Sequence, residues 1–323
     1  IDSNNFYAAC EQSVDPSVID RPLVVLSNND GCIIARNAEA KALNIAMGQP
    51  YFRVQNKLRS LDVEVRSSNY ALYADMSQRL MSLIKANCEE LEVYSIDEAF
   101  ARIRRPLNSN LNTWARRLRE IIYQRLSLSI AIGIGANKSQ SKLANYLAKT
   151  TASHSGIFDL ERCNKKDEWL EKVEVKNIWG IGRKTAHWCH LQGIHNARQF
   201  RDMPSYKLKR KYGVTIVRLQ HELKGESCLK LLLNPKSKKE TCVSRSFSRP
   251  ISQIEELRQA IANYVVRAGE KLRKQQQLAS VITIFTRTSL YAPIFYSRSA
   301  TQRLDIPSND TPILLSAALD LTE

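Results

Sequence analysis

The chain lacks the segments that direct proteins into membranes or out of the cell. Its 323 residues contain no apolar run that approaches 18 residues, and no signal-peptide pattern opens the sequence. The seven cysteines are odd in number, scattered and never spaced C-x-x-C, which is typical of reduced cytosolic thiols. We therefore expect a soluble, cytoplasmic protein with no membrane partner. A chain of this length predicts two or three domains.

Positive charge is abundant but unevenly distributed. The formal net charge is +16, yet residues 1–103 hold 10 Lys and Arg against 14 Asp and Glu, which leaves 38 against 18 for the remainder. An acidic region attached to a body of net charge +20 is typical of a catalytic cleft on a polyanion-binding protein. No basic amphipathic anchor accompanies the charge, so the pattern favours nucleic acid over a membrane surface. The alternative is a merely basic soluble protein.

Two adjacent carboxylates, Asp97 and Glu98, lie between two short, partly apolar segments. Residues 92–96 alternate polar and apolar and residues 99–103 resume the pattern, which predicts two strands joined by a tight turn. A third carboxylate, Asp2, ends what reads as the first strand. Neighbouring anions repel unless a cation compensates them, so the three acids predict a site for a pair of Mg²⁺ ions. A solvated acidic turn is the alternative for the Asp-Glu pair alone.

The first half of the chain predicts an α+β unit. Periodicity indicates helices over 3–13, 38–43, 69–88, 111–126 and 137–149, and strands over 22–27, 32–35, 92–96, 99–103 and 126–134. Asn37 is a candidate helix cap, and Asn137 starts the last of these helices. The order β-α-β-β-α-β, with helices on one side of a mostly antiparallel sheet, fits a palm-like ferredoxin topology.

Three lysines, Lys138, Lys142 and Lys149, lie along the helix that starts at Asn137. A solvated face is the ordinary role of such lysines, and we expect it for Lys142. Lys149 lies at the helix end, where a cation also suits the helix dipole, so charge alone does not assign it to a phosphate.

A glycine-rich motif follows in the basic part of the chain. Residues 178–186 read IWGIGRKTA, and residues 191–194 read LQGI. This pattern is typical of a helix-hairpin-helix, in which paired glycines expose backbone N–H groups that grip a DNA phosphate without reading bases. The residues predicted to bind DNA are Gly180, Gly182, Arg183 and Lys184. A plain glycine-containing helical turn is the alternative.

The last quarter of the chain predicts a second α/β module. Residues 200–250 contain 13 Lys and Arg against 4 Asp and Glu, and residues 233–240 read as a basic linker. Beyond it we expect a strand over 241–247, a helix over 252–276, strands over 278–287 and 294–304, and a helix from Thr311. The final strand of a β-α-β-β-α-β repeat is missing, and the chain starts at Ile1, so we expect it to be truncated at both ends.

Several motifs of the chain belong together. They are Asp2 with Phe6-Tyr7, SNNDGC at 27–32, ARNAEAK at 35–41, SSNY at 67–70, YADMS at 73–77 and YSIDEA at 94–99. In combination they resemble the Y-family translesion DNA polymerases, and within that family the UmuC-type catalytic subunit of bacterial DNA polymerase V. The resemblance spans essentially the whole chain and is densest over residues 1–150.

The resemblance implies a right-hand polymerase with a ferredoxin-like palm, small fingers, a helical thumb and an α/β little-finger domain. The implied boundaries are palm 1–22 and 71–160, fingers 23–70, thumb 161–232, linker 233–240 and little finger 241–323, incomplete at its end. The thumb would carry the helix-hairpin-helix.

The resemblance also implies roles for the acidic residues. Asp2 and Asp97 bridge two Mg²⁺ ions, Glu98 holds the ion at the primer end, and the backbone carbonyl of Ser3 completes the shell. All three acids then act as ligands rather than as proton donors.

The nucleotide site follows by the same comparison. Tyr7 matches the steric gate, whose ring occupies the place of a ribose 2′-OH, and Phe6 beside it either joins the nucleotide site or fills the core. Lys41 and Lys149 match the triphosphate-binding positions. Because Lys lacks the bidentate fork of Arg, we expect the nucleotide to be bound either more loosely or with the help of Arg36. Cys32 matches the position of a small residue that covers the templating base. The resemblance therefore implies space for a damaged base and, as a consequence, error-prone synthesis.

The implied function is lesion bypass during SOS-type damage tolerance. Implied partners are primer-template DNA, dNTP, the processed UmuD dimer, a RecA filament and the sliding clamp. Alternatives of other classes remain: a palm-type nucleotide cyclase, a structure-selective nuclease and a catalytically silent DNA-binding scaffold. The cyclase would not need a basic body of net charge +20, and the scaffold would tolerate loss of the three acids.

Overall fold

The computed structural model of the chain describes residues 1–104, 110–151, 154–234, 237–247, 249–289 and 291–322. The chain divides into two compact units. The first comprises Ile1–Leu26 with Cys32–Leu233, and the second comprises Asn234–Glu323, with which Ser27–Gly31 is grouped. In the described ranges, no helix combines the length and the apolar character needed to cross a bilayer. The seven cysteines all lie in these ranges and form no disulfide.

The first unit contains eight described strands. They are β1 (Asp2–Ser3), β2 (Leu23–Leu26), β3 (Ile33–Arg36), β4 (Glu64–Ser67), β5 (Glu90–Val93), β6 (Ala99–Arg102), β7 (Ile130–Ile134) and β8 (Ile157–Asp159). Its α-helices in the described ranges are α1 (Phe6–Val14), α2 (Ala38–Ala42), α3 (Tyr51–Ser60), α4 (Tyr70–Ala86), α5 (Leu111–Leu126), α6 (Lys138–Thr150), α7 (Lys166–Lys172), α8 (Arg183–Leu191), α9 (Ala197–Asp202), α10 (Ser205–Tyr212) and α11 (Val214–Lys224).

The short strand β1 lies at the centre of the main sheet. It pairs antiparallel with β7, with Asp2 opposite Ala131. On the far edge of β7, the strand β8 pairs with β7 in parallel. On the other side of β1, Ile1 and Ala99 exchange two backbone hydrogen bonds of 3.0 Å, which attach the β5–β6 hairpin. The order β8-β7-β1-β6-β5 contains the ferredoxin arrangement, so the predicted palm-like topology is confirmed.

Helices cover both faces of this sheet. The helices α1, α4 and α5 pack on the face that carries Ile130 and Ile132, around fully buried side chains that include Tyr73 and Leu118. The sequence predicted helices on one side alone, but α6 packs on the other face. The strict alternation along β7 explains this, because it presents small residues there. A Cβ added at Gly133 would lie 2.1 Å from the backbone N of Asn145, so helix and strand touch backbone to backbone.

A smaller sheet of order β3-β2-β4 packs against α2 and α3. The predicted cap forms here, since the Asn37 side-chain oxygen accepts hydrogen bonds from the backbone N of Ala40 at 3.0 Å and of Leu23 at 2.9 Å. One side chain thus fixes both the start of α2 and the start of the strand β2. The helix α3 and the strand β4 had no assignment from the sequence.

The helices α7 to α11 pack around a second core that includes Phe200, Leu208 and Leu219 and that extends to α6 and β7. The Gln220 side chain is fully buried and donates to the backbone carbonyls of Phe200, Arg201 and Met203 at 2.6–3.1 Å. These bonds satisfy the C-terminal carbonyls of α9 that would otherwise be buried without donors.

The second unit contains α12 (Ile254–Lys274), β9 (Ala279–Arg287), β10 (Ser297–Ser308) and α13 (Thr311–Asp320). The strands pair antiparallel, and both helices pack on the face that carries Ile282 and Ile284. The strand predicted over 241–247 is wrong. The Thr241 hydroxyl donates to the Gln275 side chain at 3.1 Å, and Lys271 donates to the Cys242 carbonyl at 3.3 Å, so this segment lies against the end of α12 instead of in the sheet.

Candidate active site

The three carboxylates meet where β1 touches the β5–β6 hairpin. Asp97 and Glu98 lie in the loop of this hairpin, which closes when the backbone N–H groups of Tyr94 and Ser95 donate to the Glu98 carbonyl at 3.0 and 3.1 Å. The backbone N of Ser3 donates to the Asp97 carbonyl at 2.9 Å, and Asp2 lies opposite Glu98 as an antiparallel bridge. Backbone pairing therefore brings residues 95 positions apart in sequence into one site. We call residues 94–98 the acidic loop.

Asp2 and Glu98 form a coupled pair of carboxyl groups. Burial and the side-chain hydrogen bond with Glu98 together raise the pKa of Asp2 to about 6, although the charge of Lys149 acts to lower it. Burial acts to raise the pKa of Glu98 as well, but hydrogen bonds from Asp2 and Lys142 outweigh it and lower that pKa. Asp97 is oriented separately, because the Ser95 hydroxyl donates to its carboxylate at 2.6 Å.

Two lysines of α6 compensate these acids. The ammonium of Lys142 lies 2.6 Å from the Glu98 carboxylate, and both side chains are about 20 % exposed (21% and 20%). Lys149, at the end of the same helix, pairs with Asp2. The expected solvated role of Lys142 is therefore wrong. Lys138 is also buried, in an ion pair with Glu92. The sequence reasoning missed these pairs because nothing in the periodicity of α6 shows which face of it meets the acids.

The donor set suits Mg²⁺ by its chemistry. Carboxylate and carbonyl oxygens are the ligands that Mg²⁺ prefers, and the buried hydroxyl of Ser3, the residue after Asp2, has no hydrogen-bond partner. In the described part of the chain, no three His, Cys, Asp or Glu side chains group closely enough to hold one metal ion. The Asp97 carboxylate accepts from Ser95, while Asp2 and Glu98 contact each other and the lysines.

Tyr7 lies beside the acids on the first turn of α1. Burial, Tyr70 and the charge of Asp97 together raise its phenol pKa, in that order. Its ring stacks on Tyr73 with 4.5 Å between the centroids and meets Tyr70 edge to face at 6.2 Å. Phe6 is 4 % exposed and packs in the core, so its ring takes the core role of the two that the sequence left open.

The basic side chains predicted for the triphosphate lie near one another. Burial lowers the pKa of Lys41, and the charges of Arg36 and Lys149 lower it further. Lys41 donates to the side chain of Asn5, and Arg36 to the carbonyl of Ile45, while the buried Arg36 Nε has no partner. Cys32 precedes β3 and bridges to Pro50. We call Arg36, Lys41 and Lys149 the basic cluster.

The glycine motif forms a tight turn in front of α8. Gly180 has a φ of 83°, which favours glycine, and Gly182 is the N-cap of the helix. Arg183 and Lys184 are exposed on the first turn. The helix before the turn is a single 3₁₀ turn, Val175–Asn177.

The fold and this carboxylate site define a right-hand polymerase. The structure resembles a Y-family DNA polymerase chimera of Dbh and Dpo4 with a TM-score of 0.79 at 19% identity, covering 99% of this chain and 91% of that one. It also resembles a post-insertion binary complex of Dbh DNA polymerase, with a TM-score of 0.62 and the same coverage. The fold is therefore that of the Y-family DNA polymerases.

Sequence comparisons give the particular family. The impB/mucB/samB family model matches residues 1–146, and its C-terminal domain model matches residues 238–323. The chain is 38% identical to protein UmuC of Salmonella typhimurium and 34% identical to protein MucB of Escherichia coli, covering 98% of this chain and 76% of each relative. It is 29% identical to DNA polymerase IV of Picrophilus torridus over 69% of this chain and 64% of that relative. The chain belongs to the impB/mucB/samB family and is a UmuC-type, Y-family DNA polymerase.

Proposed function

We propose that this polymerase carries out error-prone, template-directed DNA synthesis past lesions in SOS-type damage tolerance. The reaction transfers a nucleotide from dNTP to a primer 3′-OH. The observation that carries the proposal is the position of the acidic loop and Asp2 beside the basic cluster, because nucleotidyl transfer needs anionic metal ligands next to cations that hold a triphosphate.

Each residue of the site has a role in this scheme. Asp2, Asp97, Glu98 and the Ser3 carbonyl would hold two Mg²⁺ ions, which when bound lower the pKa of the primer 3′-OH and neutralise charge on the phosphates. The basic cluster orients the triphosphate, and Lys149 turns from Asp2 to a phosphate as nucleotide enters. Tyr7 excludes ribonucleotides by overlap with the 2′-OH. Cys32 leaves space over the templating base.

The remaining parts of the chain would hold DNA. We assign residues 1–22 and 71–160 to the palm, 23–70 to the fingers, 161–232 to the thumb, 233–240 to a linker and 241–323 to the little finger. The turn at Gly180 and Gly182, with Arg183 and Lys184, is proposed to grip a backbone phosphate. The proposed partners are a processed UmuD dimer, a RecA filament and the sliding clamp, in the cytoplasm of a bacterium.

Single-nucleotide primer extension with Mg²⁺ on intact and abasic templates tests the proposal, with the UmuD dimer and RecA filament present. The full chain is compared with Asp97→Asn and with Asp75→Asn as a matched control, since Asp75 is exposed on α4 and pairs with Arg79. We expect templated addition by the parent and by Asp75→Asn, and none by Asp97→Asn at unchanged DNA affinity. Equal DNA binding without addition by any of the three proteins would instead identify a DNA-binding scaffold, and primer shortening a nuclease.

A further inference from the structure

The ring of Tyr7 is held by a side chain from another helix. Tyr73 of α4 is fully buried, and its ring lies nearly parallel to that of Tyr7, with an angle of 23° between the planes. Tyr70, one turn earlier on α4, touches both rings edge to face. One face of Tyr7 is therefore covered by a side chain that has no freedom to move into solvent.

Tyr73 is in turn fixed by a hydrogen bond at its far end. Its hydroxyl donates to the Glu11 carboxylate at 2.6 Å, and Glu11 is 8 % exposed. Glu11 lies four residues after Tyr7 on α1, so the two side chains share one face of that helix. The chain of contacts thus starts and ends on α1 and passes through α4, which fixes the Tyr7 ring relative to its own helix.

Burying the carboxyl group of Glu11 at this position is energetically unfavourable. An apolar pair of the same volume would pack without the cost of removing a charge from water. What Glu11 adds is direction, since the hydrogen bond that it accepts fixes where the Tyr73 hydroxyl lies. A ring that excludes a 2′-OH by overlap needs such positional precision, because overlap changes steeply with distance.

We propose that Tyr73 and Glu11 are positioning residues for Tyr7 and thereby set the discrimination between deoxyribo- and ribonucleoside triphosphates. The inference rests on the proposed function, in which Tyr7 is the steric gate. Loss of the hydrogen bond frees the Tyr73 ring to shift, and the Tyr7 ring stacked on it shifts away from the sugar.

The test is the ratio of kcat/KM for a dNTP to that for the matching rNTP, measured in single-nucleotide primer extension. This ratio does not change with the fraction of folded enzyme, so a general loss of stability leaves it unmoved. Tyr73→Phe keeps the stacked ring and removes the hydroxyl, and Glu11→Gln keeps an acceptor for that hydroxyl. Tyr146→Phe is the matched control, because the Tyr146 hydroxyl on α6 also makes a side-chain hydrogen bond, which it accepts from Asn177 at 2.9 Å.

We expect Tyr7→Ala to lose most of the discrimination and Tyr73→Phe to lose about tenfold, as for a small misplacement of a positioned group. Glu11→Gln and Tyr146→Phe should stay within about twofold of the parent, a margin well below that tenfold effect. Tyr73→Phe added to Tyr7→Ala should cause no further loss, because both act through one ring.

Three results overturn the inference in distinguishable ways. If Tyr7→Ala lowers the ratio of kcat/KM for dNTP to that for rNTP and Tyr73→Phe does not, the positioning role of Tyr73 is wrong and the assignment of Tyr7 as steric gate is kept. If the two losses multiply in the double variant, Tyr73 acts independently of Tyr7 and the inference fails. If Tyr7→Ala keeps the parental ratio, the gate assignment in the proposed function is wrong and the inference falls with it.

Discussion

The indole N–H of Trp179 donates a hydrogen bond to the Tyr94 hydroxyl at 3.1 Å, and the two rings meet edge to face with centroids 5.8 Å apart. Trp179 belongs to the glycine turn before α8, and Tyr94 begins the acidic loop. The Tyr94 ring also lies 5.5 Å from the Lys142 ammonium, which pairs with Glu98. One contact therefore joins the turn that is proposed to grip DNA to the carboxylates that are proposed to hold metal.

Removing this contact should reduce primer extension more than DNA binding. Trp179→Phe and Tyr94→Phe each delete the hydrogen bond, worth about 1 kcal/mol, and should lower kcat/KM for dNTP addition about fivefold. The double variant should equal either single one. Trp188→Phe is the control, since Trp188 of α8 packs on Tyr212 of α10, away from the acidic loop. Multiplicative losses in the double variant would show that the two residues act separately.

Lys142 should determine how strongly the protein depends on divalent cations for stability. Lys142→Gln leaves the coupled Asp2 and Glu98 with one compensating cation fewer, so without metal the free energy of unfolding should fall by about 1–2 kcal/mol. Saturating Mg²⁺ supplies the missing charge and should recover most of that loss. Thermal melts with EDTA and with Mg²⁺ measure both quantities. Lys172→Gln, which alters a cation placed over the Trp169 ring, is the control. An equal Mg²⁺ response in parent and Lys142→Gln would contradict this role.

Glu222 should be a principal anchor between α11 and α6. It is fully buried and accepts hydrogen bonds from the backbone N and hydroxyl of Ser139 at 2.9 and 2.6 Å and from the backbone N of Leu229 at 2.8 Å. Glu222→Ala leaves these donors buried without an acceptor and should cost about 3–5 kcal/mol. Ser139→Ala removes one bond and should cost about 1 kcal/mol. Urea denaturation gives both values, and near-equal costs would show that the surrounding backbone relaxes around the lost carboxylate.

Arg183 and Lys184 should contribute to DNA binding through phosphate contacts alone. Removing two such contacts should reduce the slope of log K against log salt by about 1.8 and weaken binding equally on all sequences. The double variant R183A/K184A is compared with Lys165→Ala, a lysine that already pairs with Glu168. Fluorescence anisotropy over a range of NaCl concentrations gives the slopes. An unchanged slope would remove the glycine turn from the DNA interface.

Local signals in the sequence predicted much of the first unit. Asn37 and Asn137 were assigned to helix starts from their side-chain chemistry, and both accept the expected hydrogen bonds, from Ala40 N and Gln140 N at 3.0 Å. The helix over 111–126 was predicted to the residue, and the strand predicted over 126–134 forms over its second half, Ile130–Ile134. These features succeed because the residues that decide them lie within one or two turns of each other.

The parts that were missed depend on distant partners. The Lys142 and Glu98 pair spans 44 positions and the Ser139 and Glu222 pair spans 83. The strand predicted over 241–247 has suitable alternation, but whether an extended segment joins a sheet depends on its neighbours, and here side chains from α12 hold it. The roles of the site residues stay predictions, because metal and nucleotide chemistry is not encoded in local periodicity.

The contact of Gly133 with the backbone of α6 limits how this active site can diversify. Any side chain at Gly133 would collide with the peptide groups of Ser141, Ala144 and Asn145, so the height of the helix above the sheet is fixed by the main chain itself. Laboratory evolution toward new nucleotide substrates is therefore expected to gather substitutions at the exposed positions of α6 and to spare the glycine. The backbone of α6 therefore keeps its position on the sheet, and only its side chains can be exchanged.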